Sequence, residues 1–139
     1  MPVMIDLDAL AVPDSGRALL PLDLHSRAVA LGEPTGLFPD GWVQARSAFE
    51  FRALDTITSM SLEIWSPPDA EPLGLTLALA GEPTVTLKAP AGGVTVLGYT
   101  LQAAPATQFT VKLIADRERQ LSAADHRRAS YILRCIGLY

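Results

Sequence analysis

The chain has 139 residues, 49% of them hydrophobic and 19% charged, with a net charge of −4. That length suits one domain around one core, and the composition excludes a disordered tail. The acidic balance argues against nucleic acid as a partner, since phosphates need a concentrated basic surface, and no apolar run approaches the roughly 20 residues that span a bilayer.

Taken in chain order, residues 1–36 read as an N-terminal arm or an extra edge strand, and residues 37–139 as the main domain. Met1 to Ser15 carries no Lys or Arg, and Asp6 and Asp8 interrupt its apolar stretch. It does not read as a secretory signal, so a cytoplasmic location is expected. Asp14-Ser15-Gly16 is a turn signal. Ala18 to Leu24 suits a strand broken by Pro21, or a loop over the sheet. Asp23 to Leu31 suits two helical turns capped by Asp23 and stopped by Gly32. Gly32-Glu33-Pro34-Thr35-Gly36 reads as a loop and Pro39-Asp40-Gly41 as a second turn.

Strands then follow closely. Trp42 to Leu54 alternates through Phe49 and Phe51, with Glu50 and Arg52 on the other face. Thr58 to Trp65 sets Met60, Leu62 and Ile64 on one face and Trp65 on the other. Pro67-Pro68-Asp69 ends it. Leu73, Leu75, Leu77 and Leu79 form one row, opposed by Gly74, Thr76, Ala78 and Ala80. Such alternation is what a half-buried antiparallel strand requires, because successive side chains point to opposite faces. Gly81-Glu82 is a hairpin signal, and Thr84 to Lys88 is the return strand with Val85 and Leu87 inward. Pro90-Ala91-Gly92-Gly93 turns the chain. Val94 to Leu101 and Phe109 to Ile114 are further strands. The charged segment Asp116 to Arg128 has room for one helical turn, since Ser122-Ala123-Ala124-Asp125 has capping-box spacing. Ser130 to Leu138 is the last strand, and Cys135, the single cysteine, reads as a buried, inert thiol. About seven or eight short strands at about 8–12-residue spacing indicate an all-β, antiparallel β-sandwich of jelly-roll type. Its first clear strand, near Ala45 to Arg52, is expected close to the last.

Aromatic residues make up only 6% of the chain, so Trp42 and Trp65 stand out. A tryptophan face can stack on the C–H face of a sugar ring while a carboxylate or arginine fixes its hydroxyls. The candidate ligand-binding residues are Trp42, Trp65, Tyr99, Arg117 and Arg127. Against this, both tryptophans could cover the sheet edge or cap the core, Asp40 could only shape its turn, and Asp125 with Arg127 could tie the last loop down as an ion pair. Asp116, Glu118 and Asp125 offset Arg117, Arg119, Arg127, Arg128 and Arg134, which suits an internally paired surface or a docking patch for an acidic partner or an anionic polysaccharide.

Catalysis has little support. The two histidines, His25 and His126, lack the further ligands of a zinc site, and no acid cluster nominates a loop Ca²⁺. No nucleophile elbow or phosphate-binding glycine loop occurs. Glu50 and Glu63 are the pair of acids to consider for glycoside hydrolysis. No catalytic residue, metal or cofactor is expected.

Three stretches carry a resemblance. They are Asp40-Gly41-Trp42-Val43 with Phe49-Glu50-Phe51-Arg52, then Leu62-Glu63-Ile64-Trp65-Ser66-Pro67 with Leu75-Thr76-Leu77 and Gly81-Glu82-Pro83, and finally Asp125 to Leu133 with Ile136-Gly137-Leu138. From Leu37 onward the chain resembles a β-sandwich module attached to bacterial glycosyltransferases and other polysaccharide-biosynthesis proteins. The resemblance implies a non-catalytic, carbohydrate-binding or glycosyltransferase-associated role, with a glycan or a glycosyltransferase as partner. The other expectation is a structural or assembly protein that pairs with copies of itself as a homo-oligomer, with Trp65 and Leu19, Leu20 and Leu22 in the interface.

Overall fold

The computed structural model describes residues 19–68 and 70–139. Within them the chain forms ten strands: β1 Ala28–Leu37, β2 Trp42–Ala53, β3 Ile57–Ser66, β4 Leu73–Leu79, β5 Val85–Ala89, β6 Gly93–Ala103, β7 Gln108–Ala115, β8 Arg119–Gln120, β9 Arg128–Ala129 and β10 Tyr131–Leu138. Every pairing between these strands is antiparallel. The hydrogen-bonded path runs β5-β4-β7-β2-β10-β3-β6, with β1 on the free edge of β2. Only Trp42 and Val43 of β2 pair with β10, and there the path folds into two layers. The order 2-7-4-5 facing 10-3-6 is that of a jelly roll, and contact between β5 and β6 nearly closes it into a barrel.

The alternation seen in the sequence builds the core. Met60, Leu62 and Ile64 are fully buried in one layer, and Phe49 and Phe51 of β2 with Leu73, Leu75 and Leu77 of β4 face them from the other. Leu97, Tyr99 and Leu101 of β6 complete the inner surface with Val111 and Leu113 of β7. At about 25 cal/mol per Å² of apolar area removed from water, this single continuous cluster is the main term offsetting chain entropy.

Several local expectations are corrected. Asp23 to Leu31 forms no helix: a short turn is followed at Ala28 by β1, which takes its backbone bonds from β2. Gly32 to Gly36 is an irregular part of that strand rather than a loop. The register with β2 shifts between Leu31, Thr35 and Leu37, and Gly32 and Gly36 supply the positive φ of 63° and 79° found there. The Ser122–Asp125 segment also makes no helix, because β8 and β9 pair Arg128 with Gln120 on either side of it. The capping chemistry is nevertheless used: Ser122 Oγ accepts the Asp125 N–H at 2.9 Å and closes the connecting loop. Val85 pairs with Leu77, so it keeps the inward phase, yet on the outermost strand it is 38% exposed. Cys135 is half-buried rather than buried. A bulge after Leu133 inserts Arg134 and shifts Cys135 onto the outer face opposite Glu63. Residual burial and the carboxylates of Asp23 and Glu63 push its thiol up, which disfavours the reactive thiolate.

Leu20 and Leu22 pack on the chain's own core, and Leu22 bridges to Ile136. The Asp14-Ser15-Gly16 turn lies outside the described residues, as do Ala18 and Asp69.

Candidate ligand-binding face

The outer face of β10-β3-β6 carries the first candidate site. Val43 and Ile64 point inward, so their neighbours Trp42 and Trp65 point out. Cross-strand pairing aligns Trp42 with Ile132, Ile132 with Trp65, and Trp65 with Val94. Residues directly opposite one another share a face, so these four form one row across four strands. The two indole rings meet over this row, 6.1 Å apart between centroids and edge to face at 77°. Both are half-buried, and Val94 is 50% exposed beside them. The next row holds Cys135, Glu63 and Val96, and Arg134 Nε reaches Glu63 at 3.2 Å. The result is an apolar, partly aromatic strip bordered by an ion pair.

Arg127 lies at the turn leading into this strip. Its guanidinium grips Asp40 through two bonds of 3.0 and 2.8 Å and Asp125 through Nε at 3.0 Å and Nη2 at 2.7 Å. It also sits over the Phe38 ring at 4.8 Å. Hydrogen bonding to Arg127 holds the carboxyls of Asp40 and Asp125 below the usual carboxylate range, and the two acids raise the arginine in return. With most of its donors spent, Arg127 is a clamp that fixes the Phe38–Gly41 turn, and through it Trp42, to the last loop.

The other candidates lie elsewhere. Tyr99, expected on the ligand surface, is a core residue: it is 3% exposed and its hydroxyl donates to the Leu75 carbonyl at 3.0 Å. Burial pushes its phenol up to about 12. Arg117 stands at one end of the sandwich, paired with Glu71 at 2.8 Å and donating through Nε to the Pro72 carbonyl at 3.3 Å. Arg128 pairs with Glu118 and Arg134 with Glu63, so these arginines belong to an internally paired surface. Glu50 and Glu63 sit on β2 and β3, in opposite layers, and do not converge on one cleft. Among the described residues no three His, Cys, Asp or Glu side chains converge as a metal site would need. No helix there is long and apolar enough to cross a membrane.

Ile132, Val94 and Phe38 were not legible as site residues. Each joins through a cross-strand or loop contact that no local pattern records.

A scan against protein-family models finds no match, and a search of curated proteins finds none either. Similar solved structures include the exo-β-1,3-galactanase of Phanerochaete chrysosporium with galactose, at 12% identity and a TM-score of 0.44. A variant of the same enzyme with β-1,3-galactotriose gives 13% and 0.45. In both, the match covers 82% of this chain and 26% of the enzyme's chain, so it spans about a quarter of that protein's length.

Proposed function

We propose that this chain is a non-catalytic carbohydrate-binding or glycosyltransferase-associated module in bacterial surface-polysaccharide assembly, working in the cytoplasm. The observation that supports this reading is the Trp42–Trp65 pair. Two indoles held edge to face on the outside of a rigid sheet offer a sugar ring an apolar platform, with the Glu63–Arg134 pair at its border for hydroxyls. The glycosyltransferase association rests on the sequence resemblance alone.

A second reading draws on Val94 and Val96, 50% and 62% exposed on the same face. Exposed aliphatics beside two tryptophans also suit a protein interface, with a partner or with a second copy.

One experiment separates the two. The folded protein is screened on an array that includes capsular and exopolysaccharide fragments, and its sedimentation is followed over a concentration series. Saturable glycan binding that is lost in Trp42→Ala and Trp65→Ala supports the first reading. A blank array with concentration-dependent association that Val96→Glu abolishes replaces it with the second.

A further inference from the structure

β6 is the free end of its layer. It pairs with β3 along one side, and among the described residues no backbone hydrogen bond reaches its other side. β5 contacts it there without pairing, and a cavity of about 110 Å³ opens between them beside Val85, Thr100 and Leu101. An antiparallel strand turns its N–H and C=O groups alternately to either side, so about half of the backbone groups of β6 are left unpaired.

A bare edge pairs readily with another strand, and folds blunt such edges with charge, proline, bulges or shortness. The other sheet follows that rule at both ends. β1 carries Glu33, Pro34 and two shifts of register, and β5 is five residues long with Lys88 exposed. β6 does not follow it. Its 11 residues, Gly93 to Ala103, include no charge and no proline, and its register with β3 is regular from Ser59 to Ser66. Of the ten described strands only β4 also lacks a charge, and β4 is paired on both sides.

The middle residue of β6 is Gly98, on the outer face opposite Ser61. Its φ lies outside the positive range of the turn glycines, and a Cβ there would meet nothing within 4 Å. Nothing in its own chain requires a glycine. Glycine inside a strand is a mark of close approach by another backbone, and a two-fold axis at the midpoint brings the same residue of two copies together. About that axis Val96 stands opposite Thr100 of the second copy, and Val94 opposite Gln102. These pairs are neutral, so no like charges meet across the contact although each chain carries −4.

We propose that two copies of this chain pair antiparallel through their β6 edges, with the two-fold axis at Gly98. About ten backbone bonds form across such a contact, the number a stable interface carries. The proposal rests on the backbone edge and not on the tryptophan face, which stays open, so the two copies present their indole pairs on one side of a continuous sheet.

Sedimentation equilibrium of the full chain tests it. The variants are Gly98→Lys, Val96→Glu, the double variant Val96→Glu with Thr100→Lys, and Trp42→Ala. The open space around Gly98 keeps Gly98→Lys folded, with a melting temperature unchanged or raised at concentrations where the wild type is monomeric. The expected result is a wild-type dimer that Gly98→Lys and Val96→Glu each weaken about tenfold or more. The double variant regains the dimer, because each introduced carboxylate faces the introduced ammonium of the other copy, and Trp42→Ala dimerises as the wild type does. A wild type that stays monomeric up to about 1 mM, whether or not it binds glycans, overturns the proposal. So does a dimer that survives Gly98→Lys or is lost in Trp42→Ala, or a Val96→Glu defect that Thr100→Lys does not repair.

Discussion

Trp42 and Trp65 touch edge to face although their strands are not bonded at that level: β10 runs between them, and Ile132 is the cross-strand partner of both. Each indole reaches over one isoleucine to meet the other. Their mutual support gives two flexible side chains a fixed position, which a stacking platform requires because any ordering not done in advance is subtracted from affinity.

The first prediction concerns that pair. Trp42→Ala and Trp65→Ala each lower glycan affinity by about tenfold or more, and each leaves the far-UV spectrum of the sandwich in place. Loss of one ring also frees the other, so the near-UV circular dichroism signal of the pair falls by more than half in either variant. Isothermal titration together with near-UV spectra measures both. A near-UV loss of half or less would show that the two rings do not couple.

The Arg127 clamp sets the acid side of the stability profile. Asp40 and Asp125 have carboxyls lowered from 3.8 through hydrogen bonds to Arg127. A lowered folded-state value gives stability that is present above about pH 4 and is lost as pH falls through the lowered values. Arg127→Ala therefore lowers the melting temperature at pH 7 and flattens its decline below about pH 4. Arg127→Lys fails to restore it, because an ammonium cannot grip two carboxylates in fork geometry. Thermal melts across pH check both statements.

All three tyrosines of the chain shift upward, which sets the alkaline side. Burial raises Tyr99 to about 12 and also raises Tyr131, while the hydrogen bond to Asp23 raises Tyr139 to about 12. The fold favours the neutral phenols, so this stability is complete below the unfolded value near 10 and is lost as pH rises towards about 12. Ultraviolet titration of the native protein shows little phenolate at about pH 10.5, where the unfolded chain is more than half ionised. Early ionisation of one tyrosine in the native protein would contradict its placement.

Two glycines test the backbone of the sheet. Gly36 and Gly81 have similar positive φ values of 79° and 81°. A Cβ at Gly81 would meet nothing within 4 Å, whereas at Gly36 it would overlap the Arg46 carbonyl of β2. Gly81→Ala should cost about 1–2 kcal/mol, the penalty of the left-handed conformation alone. Gly36→Ala should cost clearly more, because β1 must also move away from β2. Urea denaturation of the two variants gives the comparison, and equal costs would show that the β1–β2 contact yields freely.

Inward rows such as Met60, Leu62 and Ile64 were legible because strand alternation has a period of two and nothing interrupts it. Cys135 was not, because one inserted residue, Arg134, reverses the phase of the paired residues from Cys135 to Leu138. Bulges depend on the partner strand, and no local pattern marks them. Tyr99 shares its phase with Leu97 and Leu101, which the alternation of β6 already places inward. Its hydroxyl is satisfied inside the core by the Leu75 carbonyl, a partner on another strand. The glycine signals at Gly81 and Gly92 marked turns correctly, whereas Gly32 and Gly36 used the same conformational freedom inside a strand.

By itself the sequence determined the class of fold, since alternation and turn residues are local properties that survive whatever the strands pair with. It also placed Trp65 on the face away from Met60, Leu62 and Ile64. Which residues stand beside the tryptophans was decided by the tertiary structure alone. Ile132 lies 90 residues from Trp42 in the chain, and Arg127 lies 87 from Asp40. Strand order and register bring such positions together, and these are set by closing two layers around one core, a condition on the whole chain that no segment carries.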